Sequence, residues 1–296
     1  MRSGLALLLA SALLQASPAR AREALGLSVP SRANPFAAAL VEGAVAAAER
    51  AGLELVVKDA GDDADQQVAD LEELLRRKVK VLLVLPVDAP ALAPALDRAD
   101  EAGVPVISVG ARAAGGPVAY HVASDDVAGG RLAGEYTCRL LGGRGEVAEL
   151  EGHPAVRDRG QGFLEGLRRG CRGVKLVARE TAQADRAEGL TVAESLLEAH
   201  PSVAAIFAED DEMALGAVHA RQLATRRVHI VGYGASADAL KAVESCDLAA
   251  TVAPQPGQMG RVAVERALAL ERPGRAPART VTVLVAPKLV VGPSCR

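Results

Sequence analysis

Strand-sized apolar runs alternate with helix-length segments almost without a break from Ala24 to Val291, and few architectures accommodate that rhythm. Ala24–Val29 is a short apolar run. Asn34-Pro35 then opens a helix, because proline suits a first turn whose N–H has no intrahelical partner. Phe36, Leu40, Gly43, Ala44 and Ala47 recur at helical spacing and predict one inward face, which Gly52 ends. Leu53–Val57, Val79–Leu85 and Val104–Val109 read as strands, with helices over Gln67–Arg77 and Ala89–Ala102 between them. Apolar strands separated by helices predict a parallel sheet covered on both faces.

The pattern restarts after Ser124. Helices are predicted over Asp126–Leu140, Gly160–Arg169, Ala187–Ala199, Glu212–Leu223 and Ala237–Ser245. Strands are predicted over Gly145–Leu150, Val174–Ala178, Val203–Phe207, Val228–Val231 and Leu248–Val252. Gly257–Leu270 is a further helix, and Thr280–Val285 and Lys288–Val291 are final strands. Two similar α/β lobes with no low-complexity linker between them predict a hinged pair facing a cleft.

A chain of 296 residues is long enough for two domains and a sizeable core. A formal charge of −3 and the lack of a basic stripe argue against a nucleic-acid partner. Residues 1–21 have the form of a secretory signal peptide. Arg2 supplies the positive end, Leu5 to Leu14 an apolar segment too short to span a bilayer, and Ala19-Arg20-Ala21 a cleavage site. The expectation is a periplasmic protein whose mature chain starts near Arg22. Cys138, Cys171, Cys246 and Cys295 are widely spaced and form no C-x-x-C pair. Buried free thiols are the favoured reading, with one bridge possible in an oxidising compartment.

No motif argues for catalysis or for a cofactor or metal. The five histidines show no i,i+4 pair, and no G-x-S-x-G elbow occurs. Gly232-Tyr233-Gly234-Ala235-Ser236-Ala237 fits the dinucleotide fingerprint G-x-G-x-x-G/A, but it comes late in the second lobe and lacks the acidic residue about twenty positions on. It reads as a tight turn with Tyr233 as packing. Asp59, Asp62, Asp63 and Asp65 lack the glycine and glutamate of a calcium loop and read as a capped strand-to-helix turn.

Glu209-Asp210-Asp211-Glu212 stands where the strand Val203–Phe207 gives way to a helix. A helix N-terminus favours negative charge, and open α/β sheets bind ligands at the carboxyl ends of their strands. The simplest reading is capping and a solvated turn.

Several short patterns, in order along nearly the whole mature chain, mark a resemblance. They are Asn34-Pro35-Phe36, Pro105-Val106-Ile107, His121-Val122-Ala123-Ser124-Asp125, Arg157-Asp158-Arg159-Gly160-Gln161-Gly162-Phe163, Asp211-Glu212-Met213-Ala214-Leu215-Gly216 and Leu248-Ala249-Ala250-Thr251-Val252-Ala253. With them the chain resembles the type I periplasmic sugar-binding family, and within it the ribose binders of bacterial ABC importers. The resemblance implies two Rossmann-like lobes, parallel sheets flanked by helices, joined by a three-strand hinge with the ligand cleft between. One lobe takes 22–124 plus 255–283, the other 125–254 plus 284–296. It implies a small-molecule ligand, most simply a monosaccharide such as a pentose, hexose or polyol. It implies an inner-membrane ABC permease as partner, or alternatively a membrane receptor or histidine kinase.

By the same resemblance Asn34 falls on a sugar-bonding position, Phe36 on one whose ring packs against the sugar, and Arg159 on a sugar-binding arginine. Asp210 stands where ribose binders use Asn, keeping an acceptor but losing the amide donor. Asn34 also reads as a helix cap, Phe36 as core, and Arg159 as a solvated side chain. Of the acidic run, Asp210 is expected to face the cleft, with Glu209, Asp211 and Glu212 assigned to capping and the helix dipole. The family's first-lobe Asp-Arg pair is replaced by Gly110-Ala111, with Arg112 as a slipped substitute. Ala37 and Ala184 replace aromatic rings, Gly234 an aspartate, and Pro254 a hinge glutamine. Buried hydroxyl-pairing groups left without partners cost about 1–3 kcal/mol each, so these losses argue against D-ribose itself.

Overall fold

The structure, a computed structural model, describes residues 24–270 and 277–292. The expected signal peptide over 1–21 and the fourth cysteine, Cys295, lie outside them.

Two six-stranded sheets form. The first contains β1 (Ala24–Val29), β2 (Glu54–Asp59), β3 (Leu82–Val84), β4 (Val106–Val109), β5 (Val118–Ser124) and β11 (Val281–Val285), in the order β11-β5-β4-β3-β1-β2. The second contains β6 (Arg144–Glu151), β7 (Gly173–Thr181), β8 (Val203–Ala208), β9 (His229–Tyr233), β10 (Ala250–Ala253) and β12 (Lys288–Val291), in the order β12-β10-β9-β8-β6-β7. The strands pair in parallel except β12, which runs antiparallel to β10. Helices α1 (Pro35–Ala51) and α9 (Pro256–Leu270) cover one face of the first sheet, and α2 (Ala64–Arg76) and α3 (Ala93–Glu101) the other. On the second sheet α4 (Asp126–Leu140) and α5 (Asp158–Gly170) lie opposite α6 (Arg186–Ala199), α7 (Asp211–Leu223) and α8 (Ala237–Glu244).

This is the predicted architecture of two doubly covered α/β lobes. It departs from the sequence reading at three places. β5 went unpredicted, because its mixed run Val118–Ser124 is only half-buried over most of its length and lacks a continuous apolar signature. β3 is shorter than expected, since the Val79 amide turns back to the Leu74 carbonyl and closes α2. β11 stays paired with β5 as far as Val285 opposite Ser124, two residues past the expected boundary at 283.

The chain passes between the sheets at Ser124–Asp126, Ala253–Pro256 and Val285–Lys288. The Asp125 amide donates to the Val285 carbonyl at 3.0 Å, so the first and third crossings are tied together.

Glycines let α4 and α5 approach until backbones touch. A Cβ on Gly130 would stand 1.9 Å from the Arg159 carbonyl oxygen, and one on Gly162 would stand 2.1 Å from that of Val127. Beyond this contact Cys138 and Cys171 are joined in a disulfide, and Cys246 is disulfide-bonded too. The free-thiol reading was therefore wrong. The sequence separation of 33 in the first pair hides that α4 and α5 bring both sulfurs to one end of the helix pair.

Candidate functional site

In each sheet the strand order reverses beside the strand that opens it, as β2-β1-β3 and as β7-β6-β8. Loops leaving neighbouring strands diverge there and open a crevice at the strands' carboxyl ends. Asn34 and Phe36 follow β1, Arg159 follows β6, and Asp210 follows β8. Four of the five expected ligand residues thus stand at equivalent reversal points of the two lobes.

Asn34 is the N-cap of α1, its Oδ1 accepting from the Phe36 amide at 2.9 Å and the Ala37 amide at 3.4 Å. Its oxygen is occupied by the helix, while its exposed amide group still projects as a donor. Phe36 is half-buried against the first core and faces Gly110, where a Cβ would meet Leu85 Cδ1 at 3.0 Å and Phe36 Cε1 at 3.3 Å. Gly110 also holds a φ of +74°, which side chains rarely adopt. This part of the first-lobe rim is accordingly apolar, made of Phe36, Leu85 and Gly110, with Gly110-Ala111 standing where the family pattern carries an acid and an arginine.

The second lobe is polar. Arg159 lies in the first turn of α5, not in the loop before it. Its Nε contacts Asp126 Oδ2 at 3.2 Å and its Nη1 donates to the Glu209 carbonyl at 2.7 Å. The guanidinium carbon lies 4.0 Å from the centre of the Tyr233 ring, and the Tyr233 hydroxyl donates to Asp126 Oδ1 at 2.8 Å. Cation–π stacking and two hydrogen bonds of its own therefore fix the plane of this fork, and the Tyr233 bond holds Asp126 in place beside it. Burial, followed by the Asp126 charge, pushes the Tyr233 phenol well above its usual range. Tyr233 is fully buried, so the packing role expected for it holds, but it also orients Asp126. Asp126 was not singled out in the sequence, where it reads as an ordinary helix-opening acid.

Asp210 is itself the N-cap of α7, its Oδ1 accepting from the Glu212 amide at 2.7 Å. Burial raises its carboxyl above the usual value, opposed by that amide and by the Arg159 charge. The capping role assigned to its neighbours is corrected. Glu209 is buried and accepts from the Gly152 amide at 2.8 Å. Asp211 is buried and accepts from the Ser236 amide and the Thr251 hydroxyl, each at 2.7 Å. Both clamp neighbouring loops across the sheet end. Only Glu212 is a surface group, paired with Arg186 at 2.8 Å. Sequence proximity placed all four acids at one helix start, but successive side chains there point to different elements.

Arg112 is bonded away from the strand-end cluster. Its Nη2 donates to Thr282 Oγ1 at 3.0 Å, near the start of β11, whereas the rim end of that strand is Val285. Three strand residues span about 10 Å, which holds the guanidinium back from the strand ends. The other altered positions are small: Ala184 is exposed in the β7–α6 loop at φ +59°, Gly234 holds φ +140° beside Asp211, and Pro254 lies in the second crossing.

The arrangement presents a fixed guanidinium fork and two carboxylates from one lobe, and an apolar rim with an amide donor from the other. Hydroxyls both donate to carboxylates and accept from guanidinium, so a small polyhydroxylated molecule suits this set.

Residues 25–275 match the periplasmic binding protein domain family. The chain is 39% identical over 246 residues to the ribose import binding protein RbsB of Bacillus subtilis, covering 82% of this chain and 80% of that one. It is 39% identical over 253 residues to RbsB of Escherichia coli, covering 84% and 85%. A solved ABC transporter periplasmic solute binding protein from Actinobacillus succinogenes, with bound D-allose, superposes with a TM-score of 0.74 at 27% identity, over 91% of this chain and 98% of that chain.

Proposed function

The chain belongs to the periplasmic binding protein family, and from that premise we propose that it captures a monosaccharide or related polyol between its lobes and delivers it to an ABC importer. It is a binder and not an enzyme, and it works in the periplasm, to which residues 1–21, as a signal peptide cleaved on export, would direct it. The observation that carries the reading is Arg159, held rigidly at a strand-order reversal beside Asp126 and Asp210. Asn34, Phe36 and Asp210 supply the remaining contacts. Gly110 and Ala111 stand where ribose binders carry a hydroxyl-pairing acid and arginine, and Phe36 and Leu85 line that place, so D-ribose is not the expected solute. The ligand acts by bridging the lobes, since it shifts the hinge equilibrium only through contacts better made in the closed state.

A thermal-melt panel of the mature protein tests this with ribose, other pentoses, hexoses, polyols, nucleosides and small amines. A ligand at 100 times its Kd stabilises by about 2.7 kcal/mol, an easily read shift. A shift with one sugar or polyol supports the reading and names the solute. Silence from all of them, with a response to a nucleoside or an amine, overturns the solute class while leaving the fold.

A further inference from the structure

We propose that Asp126 sets the charge selectivity of the cleft, so that the site takes neutral polyols and refuses their carboxylate analogues. The inference rests on the sugar-binding reading above. Arg159 is the cation of the second-lobe cluster, and an arginine fork left to itself pairs strongly with a carboxylate ligand. Here Asp126 already answers that charge, with Oδ2 3.2 Å from Arg159 Nε and Oδ1 held by the Tyr233 hydroxyl at 2.8 Å. Asp210 adds a second negative group, and its carboxyl feels the Arg159 charge. An entering anion would meet a guanidinium whose charge is already neutralised and would face Asp210 besides. A neutral hydroxyl still accepts from the free N–H groups of Arg159 without repulsion.

Helix capping does not explain Asp126. Asp125 caps α4, its Oδ1 accepting from the Ala128 amide at 2.9 Å. Asp126, the first helical residue, instead turns its carboxylate to Arg159 and Tyr233. The acid stands next to the first lobe crossing, so the group that orients Arg159 is carried by the segment leaving the hinge.

Equilibrium titration of the mature protein tests this with three neutral sugars, D-ribose, D-glucose and D-galactose, against D-ribonate, D-glucuronate and D-galacturonate. Wild type is expected to prefer the neutral member of any pair it binds. D126N, which keeps a hydrogen-bonding group for Tyr233, should shift the acid-to-neutral affinity ratio by about tenfold toward the acid, an effect that added salt reduces. D126S removes the same charge and provides the same test should D126N not fold, while D126E should keep the wild-type ratio. An unchanged ratio in the charge-removing variants overturns the inference, as does a wild type that prefers an acid. Should the wild type bind none of the six, the neutral solute that shifts the melt and its carboxylate analogue take their place under the same two criteria; a melt panel silent toward every sugar and polyol defeats the sugar-binding reading itself, and the inference falls with it.

Discussion

Arg159 Nη1 donates to the main-chain carbonyl of Glu209 at 2.7 Å, so the residue before Asp210 fixes the guanidinium beside it. This bond joins the start of α5 to the end of β8, the two elements that carry the second lobe's binding groups. Lysine would keep the charge but not the fork. R159K is expected to weaken sugar binding at least about tenfold and R159A further, since R159A also leaves Asp126 half-buried without its ion pair. Calorimetric titration measures the affinity and urea unfolding the stability. Unaltered affinity in R159A would remove Arg159 from the site.

Gly130 sets two effects against each other. Alanine is favoured over glycine inside a helix by about 1 kcal/mol. A Cβ there would lie 1.9 Å from the Arg159 carbonyl, a backbone atom that cannot swing aside. The collision should win, giving a net loss of about 1–3 kcal/mol by urea unfolding. Weaker ligand binding should accompany it, because α5 and the Arg159 backbone must shift together.

The Cys138–Cys171 bridge closes a loop of 33 residues, which the chain-entropy estimate values at about 3–4 kcal/mol. Replacing both cysteines with alanine should lower stability by that order. It should leave ligand affinity within about twofold, since the bridge lies at the C-terminal ends of α4 and α5, and Asp126 and Arg159 lie at their N-terminal ends. Melting curves and titrations of the double variant read the two effects separately.

Stability against pH should carry two opposed contributions. Glu149 is fully buried, and burial pushes its carboxyl from 4.5 up to about 7 despite Arg179 at 2.7 Å. The folded state therefore holds a proton that the unfolded state has lost, and stability falls as pH rises from 4.5 to 7. Burial, and then the Arg112 charge, lowers His121 from 6.5 to about 4, so stability falls as pH drops through that range. Measured against E149Q, wild type should gain about 3 kcal/mol between pH 7.5 and 4.5, and measured against H121Q it should lose about 2–3 kcal/mol over the same change. Urea unfolding at four pH values gives both differences, and a pH-independent gap for E149Q would show that Glu149 ionises normally.

Arg112 holds Thr282 and stands apart from the strand-end cluster. R112A is expected to leave sugar affinity within about twofold and stability within about 0.5 kcal/mol, as for other exposed side chains. A tenfold loss on titration would return Arg112 to the binding site.

The sequence by itself determined the lobes. Apolar strand runs, helical periodicity and caps such as Asn34 and Asp63 are short-range signals, because a cap oxygen reaches only two or three residues onward. The family patterns added Arg159 and Asp210, which meet at the strand ends of the second lobe. Tertiary structure alone decided what each buried polar group meets. Asp126 finds Tyr233 across 107 residues, Glu209 reaches Gly152 across 57, and Asp211 reaches Thr251 across 40. These partners come together because the order of strands in the sheet sets their ends side by side. A local pattern cannot carry that order, since buried charges and amides pair with whichever groups packing brings within hydrogen-bond distance.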